Sequence, residues 1–259
     1  MDSKIFEITG RLENVIRDSI SGVSGHEWDE DFITRNLLKD LRKELSGLWF
    51  IGRDKKSGIN WQIYKLKGTF ENNFGDVALI VNINYKDGTS INGAAFLEAK
   101  KRDWRKTTFG AMKSPQAKKI LKNAPRSQYL LYDYEEITGF LNGSLYLEEL
   151  SYYYHHRGEH VPLAPVTRAV CVPLNLAVAT TSKDTLLYRH SVPFSQMLSN
   201  RYFQGLDLEY DDTSKQVATG FLKKFGLPKF VVKIDIAEPG SDGGDNDLRV
   251  NPQEYQQLD

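Results

Sequence analysis

Between Asp76 and Lys100 the chain sets two runs of strand-forming residues around a turn signal, and the second run ends in charge. Asp76 to Tyr85 is rich in Val, Ile and Leu, and Asn92 to Lys100 carries the small apolar run Gly93-Ala94-Ala95-Phe96-Leu97. Asp87-Gly88 between them predicts a hairpin. Residues two apart on a strand share a face, so Glu98 and Lys100 project together while Leu97 and Ala99 face the core. An acid and a lysine at the end of an apolar run are costly to bury unless they are paired or used.

The hairpin also returns Asp76 toward that pair, and its register decides where Asp76 lands. A strict two-residue Asp87-Gly88 turn makes opposed residue numbers total 175 and sets Asp76 against Ala99, on the wrong face. An odd-length loop or one bulge shifts the total to 174 or 176 and sets Asp76 across from Glu98 or Lys100. If the three residues form one site, the sequence requires a bulge or a three- or five-residue loop between Tyr85 and Asn92.

Around this hairpin the periodicities predict an α/β chain. Ile5, Ile8, Leu12, Val15 and Ile16 mark a short amphipathic helix weakened by Gly10. A stronger helix follows, with Trp28, Phe32, Ile33, Leu37, Leu38, Leu41, Leu45 and Leu48 as its stripe and Ser24 as its N-cap. Gly47 and the glycines from 52 to 58 end it. Ile59 to Leu66 reads as a strand preceding the hairpin. Ser114-Pro115 opens a helix through about Lys122, and Gln128 to Tyr134 reads as a fourth strand. Further on come a helix around Leu145 to Tyr154, a strand at Val166 to Val172, a helix at Phe194 to Phe203 and a strand at Phe230 to Ile236. With 259 residues and no clear linker before residue 235, one domain over 1–237 is expected. Beyond Glu238 the composition turns to Gly, Asp, Asn, Gln and Pro, which predicts a flexible acidic tail over 238–259.

Lys+Arg and Asp+Glu are 34 each, but the zero net charge hides an asymmetry. From Lys100 to Arg126 there are ten basic residues and only Asp103 as an acid, a local charge of +9. From Asp235 to Asp259 there are seven acids against Arg249 alone. A polyanion is drawn to the first region and repelled by the second, and the acidic tail could fold back on the basic stretch and compete with it. At 40% hydrophobic residues a sizeable core is available, so global disorder is excluded. The longest apolar run, Val77 to Val81, is far short of the roughly 20 residues of a membrane helix, so no membrane partner is expected. Met1 to Glu7 lacks a signal-peptide pattern, and the expected location is cytoplasmic. A lone Cys171 in an apolar strand reads as core, and no phosphate loop of the ATPase kind is present.

The order helix, three-stranded meander bearing an aspartate and then Glu-x-Lys, basic helix, strand resembles the PD-(D/E)xK nuclease superfamily, whose fold is restriction-endonuclease-like. The resemblance covers about residues 24–134. Phe74-Gly75 stands before Asp76 where the motif's name has proline. It implies an α-β-β-β-α-β core, a central mixed sheet flanked by helices, with a C-terminal elaboration. It further implies that Asp76 and Glu98 hold Mg²⁺ or Mn²⁺, that the Ala99 carbonyl completes the shell, and that Lys100 assists the attacking water. In this family the first long helix commonly adds a carboxylate, here Glu30 or, one turn earlier, Glu27. Gln116 corresponds to a glutamine often placed beside the site. Lys101, Arg102, Lys113, Lys118, Lys119 and Lys122 are then expected to contact nucleic-acid phosphates regardless of sequence.

The expected activity is that of a metal-dependent DNA endonuclease in restriction, repair or anti-phage defence. The products should carry a 5′-phosphate and a 3′-hydroxyl. Cutting both strands needs two sites, which implies a homodimer or an effector subunit with a protein partner. RNA as substrate is not excluded by the residues. A nucleic-acid-binding or scaffold subunit without turnover is the alternative from another class. His155, His156, Glu159 and His160 could bind zinc, but Gly158 interrupts helical spacing and no cysteine assists, so a loop of solvent-facing histidines is expected. His26 beside Glu27 is a further possible nitrogen ligand.

Overall fold

The computed structural model describes residues 3–23, 25, 27–45, 58–68, 73–110, 112, 114–141, 143–158, 164–238, 241 and 248–258. In chain order these form α1 (Ser3–Ser21), α2 (Glu30–Leu45), β1 (Gly58–Leu66), β2 (Val77–Asn84), β3 (Ser90–Lys101), α3 (Ser114–Asn123), β4 (Gln128–Ile137) and α4 (Gly143–Arg157). Then follow β5 (Thr167–Pro173), α5 (Leu174–Thr180), β6 (Val192–Pro193), α6 (Phe194–Gln196), α7 (Asp212–Thr219), β7 (Phe230–Ala237) and β8 (Tyr255–Leu258). The chain is thus α/β, as its periodicities require. Among the described residues no helix is long and apolar enough to cross a membrane.

The chain divides into two compact units. One comprises 1–41, 99–117 and 128–201; the other comprises 42–98, 118–127 and 202–259. The division follows the chain's repeated returns, which local periodicity does not reveal.

In the second unit the strand order is β3-β2-β7-β1-β8. All eight residues of β2 are buried, the mark of a strand with neighbours on both edges. It pairs antiparallel with β3 and parallel with β7, and β7 pairs antiparallel with β1. The sheet is therefore mixed, and the expected three-stranded meander is corrected: β7 lies between β1 and β2. Asn82 Nδ2 donates to Asp235 Oδ1 at 2.7 Å, and Lys233 Nζ lies 3.0 Å from Asp235 Oδ2, so this acid belongs to the β2–β7 pairing. Phe74, Ala78, Ile80, Phe96, Val217, Val231 and Tyr255 share this unit's core.

Tyr255 also corrects the expectation of a free tail. Residues 255–258 pair antiparallel with β1, and the buried Tyr255 hydroxyl donates to Pro228 O at 2.9 Å. One aromatic anchor and a strand edge outweigh the polar composition around them. Asp242, Asp245, Asp247 and Asp259 lie outside the described residues.

In the first unit β4 pairs antiparallel with β5, and β5 with β6. α1 is a full 19-residue helix despite Gly10. A Cβ at Gly10 would come within 2.2 Å of the Tyr153 ring, so the glycine lets α4 lie close against α1. The N-cap of α2 is Asp29, whose Oδ1 accepts from the N–H groups of Asp31 and Phe32. Ser24, Gly47, Leu48 and Gly52 fall outside the described residues, as do His26, Glu159 and His160. His155 and His156 close the last turn of α4 rather than lying in a loop. The helix expected over Phe194 to Phe203 is broken: α6 runs into a π turn at Met197–Arg201 and a 3-10 turn at Tyr202–Gln204.

Beneath that π turn lies Glu13, a fully buried carboxylate on α1 (0% exposed). Its Oε2 accepts from Ser195 Oγ at 2.8 Å and from Thr167 Oγ1 at 3.1 Å, while Oε1 has no hydrogen-bond partner. Desolvation outweighs these hydroxyls and Arg17, and raises the Glu13 pKa to about 7. The folded state therefore holds a proton that the unfolded chain releases near pH 4.5. Stability from this group falls as pH rises from about 4.5 to about 7 and stays low above it. Glu13→Gln should match the wild type near pH 4.5 and exceed it by up to about 3 kcal/mol above pH 7, as read from urea unfolding across that range.

Candidate active site

The β2–β3 register carries the geometry. Val77 opposes Leu97 and Asn84 opposes Ser90, so paired residue numbers total 174, one of the two values that the sequence argument requires. The turn accounts for it. Tyr85 N–H donates to Thr89 O at 2.9 Å and Gly88 N–H to Tyr85 O at 3.1 Å, leaving Lys86-Asp87-Gly88 as a three-residue loop with Gly88 at φ +83°. Asp87 Oδ1 accepts from Thr89 N and Oγ1, and these bonds lower its pKa.

One step beyond Val77, the register sets Asp76 opposite Glu98. Ala94 directs both its N–H and its C=O to Glu209, away from β2. Counting by twos along β3, Glu98 likewise sits at a non-hydrogen-bonded position, where facing side chains come closest. Glu98 is 1% exposed and Asp76 is half-buried. The Asp76 carbonyl accepts from Phe230 N–H at 3.0 Å, which ties it to β7 as well. Gly75 makes the approach possible: it sits at φ +112°, and a Cβ there would lie 2.7 Å from Leu97 O. No proline could provide that backbone, since proline fixes φ near −65°.

Two carboxylates directly opposed across a ladder repel each other, and a cation held between them relieves the repulsion. The donors are hard oxygens, which fits Mg²⁺ or Mn²⁺ with water and substrate oxygens filling the remaining positions. Among the described residues, no group of three or more His, Cys, Asp or Glu could hold a metal ion. Asp76 and Glu98 would offer such an ion a carboxylate pair, not a closed cage.

In the first unit, two residues further along β3, Lys100 is almost fully buried. Its Nζ donates to Ala99 O at 2.5 Å and lies 3.3 Å from Glu30 Oε1. Glu30 and the Ala99 carbonyl, both expected beside a metal, thus meet the lysine ammonium here. Glu30 is placed by its helix start. Asp29 caps α2, Trp28 Nε1 donates to Arg102 O at 2.7 Å, and Thr34 Oγ1 bonds both Glu30 O and the Tyr132 hydroxyl. Glu27 is exposed.

Arg102 is held on several sides. Its Nη1 lies 3.1 Å from both Asp133 oxygens and 2.6 Å from Glu135, its Nε donates to Lys106 O, and its guanidinium covers the Tyr134 ring. These contacts make the guanidinium a structural tie. Sequence reasoning missed this, because Asp133 and Glu135 lie 31 and 33 residues away. Lys118, Lys119 and Lys122 are exposed on α3, Lys101 and Gln116 are half-buried, and Lys113 falls outside the described residues.

Gly75→Ala should cost about 1–3 kcal/mol, because it forces both a disfavoured φ and a backbone clash. Its effect should appear as a lowered urea midpoint and as lost protection of the Val77 and Leu97 amides in hydrogen exchange. Comparison with family models, with curated proteins and with solved structures finds no match for this chain.

Proposed function

We propose that the chain is a metal-dependent nuclease acting on DNA, built on a restriction-endonuclease-like core. The observation that carries this reading is the register that opposes Asp76 to Glu98, with Lys100 two residues on along the same strand. Asp76 and Glu98 would hold Mg²⁺ or Mn²⁺, which supplies an acidified water and charge stabilisation at a phosphate. Lys100 donates toward the water or the phosphoryl oxygens, and Glu30 fixes the direction of its ammonium. The exposed lysines of α3 would grip phosphates without reading sequence. Water attacks phosphorus, the bond to the 3′-oxygen breaks, and a 5′-phosphate remains.

Supercoiled plasmid with Mg²⁺ or Mn²⁺ tests the proposal. Wild type should nick or linearise it. Asp76→Asn, Glu98→Gln and Lys100→Met should each lose at least about 100-fold in rate, as should addition of EDTA. Mn²⁺ should raise the melting temperature of wild type but not of Glu98→Gln. Cutting that survives Glu98→Gln would move the active site elsewhere. A folded wild type that binds DNA without cutting would favour a binding or scaffold role.

A further inference from the structure

The first unit presents an aromatic feature that the proposed chemistry does not use. Trp104, four residues beyond Lys100, is 49% exposed. Its ring centroid lies 4.6 Å from that of Tyr134 at a 41° tilt. Tyr134 is itself held from two other directions, by the edge-on Trp28 ring at 5.5 Å and by the Arg102 guanidinium at 4.9 Å. One side of the indole therefore rests on a fixed support while about half of its surface stays in water.

The loop that carries it is locked. Asp103 N–H donates to Thr108 O, Lys106 N–H to Asp103 O, and Thr108 Oγ1 to Asp103 Oδ2 at 2.8 Å. Thr107 O accepts from Thr185 N–H, and Phe109 N–H donates to Lys183 O. Arg105 sits at φ +58°, a left-handed conformation that costs a non-glycine residue about 1 kcal/mol, and its N–H donates to the Tyr134 hydroxyl at 2.8 Å. A surface tryptophan by itself needs no explanation. One held half-exposed on a buttressed ring, by a loop that keeps a strained arginine, is pre-organised for a flat ligand.

Charge identifies that ligand. Arg105 and Lys106, the two residues that follow Trp104 in this loop, are exposed. The nearby acids are already engaged: Asp103 accepts from Thr108, the buried Asp133 pairs with Arg102, and the exposed Glu135 pairs with the same guanidinium. A flat apolar face beside two exposed cations fits a nucleobase and its adjoining phosphates, and the base must be unpaired to expose its face. A protein partner would instead be expected to meet a broader apolar patch.

We propose that the Asp103–Thr108 loop is a stacking platform for an unpaired base of single-stranded DNA, with Trp104 under the base and Arg105 and Lys106 on its flanking phosphates. This rests on the nucleic-acid part of the function proposed above, not on turnover.

The test is fluorescence anisotropy with a labelled single-stranded oligothymidylate and a duplex of equal length. Binding is measured in EDTA so that no cutting occurs, alongside the metal-dependent plasmid assay. Wild type should prefer the single strand. Trp104→Leu should weaken single-strand binding about tenfold or more, whereas Trp104→Phe should keep most of it, and both should melt like wild type. Arg105→Gln with Lys106→Gln should flatten the salt dependence. Equal affinity of Trp104→Leu and wild type, or no preference for the single strand, overturns the platform even if Glu98-dependent cutting is found. Tighter binding of oligouridylate overturns the assignment to DNA. Trp104-dependent binding without plasmid cutting supports the platform and counts against the nuclease.

Discussion

The proposed active site depends on one ladder, the antiparallel pairing of β2 with β3. Its register is set at the far end by a three-residue loop that closes on the Tyr85–Thr89 bond. A loop one residue shorter would put Asp76 across from Ala99, with its side chain on the face opposite Glu98. Lys86-Asp87-Gly88 thus controls, from eight pairs away, which side chains meet at the other end. The turn is well made for that, since Gly88 takes the left-handed position and Asp87 is bonded to Thr89. At the near end Gly75 removes the Cβ that would strike Leu97 O.

A second constraint acts in the first unit, just past the end of β3. Arg102 joins Asp133, Glu135 and the Tyr134 ring, and its carbonyl accepts from Trp28. Lys100 and Trp104 flank this knot on either side along the chain. The same buried ion pair therefore steadies the segment that carries the lysine and the ring that supports the indole. Asp133 is 1% exposed, so removing Arg102 would leave a buried carboxylate without its cation, an expensive state in a protein interior. The Glu13 cluster under α6 is a separate matter, a buried carboxylate whose proton belongs to the fold.

Much of the chain was legible because its signals are local. The Val and Ile content of 77–83 marks a buried strand, Asp87-Gly88 marks the turn, and Ser114-Pro115 opens α3 where expected. Glu98 and Lys100 could be assigned to one strand face by the two-residue period alone. The misreadings share a cause. The insertion of β7 between β1 and β2 and the docking of Tyr255 both join residues far apart in sequence. Gly10 is a local signal that misled in the other direction: its cost to helix propensity is outweighed by the close approach of Tyr153.

The sequence by itself determined the strand–turn–strand unit, the requirement for an odd loop, and the chemical character of the residues at 76, 98 and 100. Those follow from backbone period and turn chemistry, which act over a few residues. Only the tertiary structure decided which of two allowed registers is used, that the ammonium of Lys100 rests on Glu30 and Ala99, that Arg102 is a tie, and that residues 255–258 complete a sheet. Each of these is fixed by packing and pairing between distant segments, and no local period encodes which distant segment will arrive.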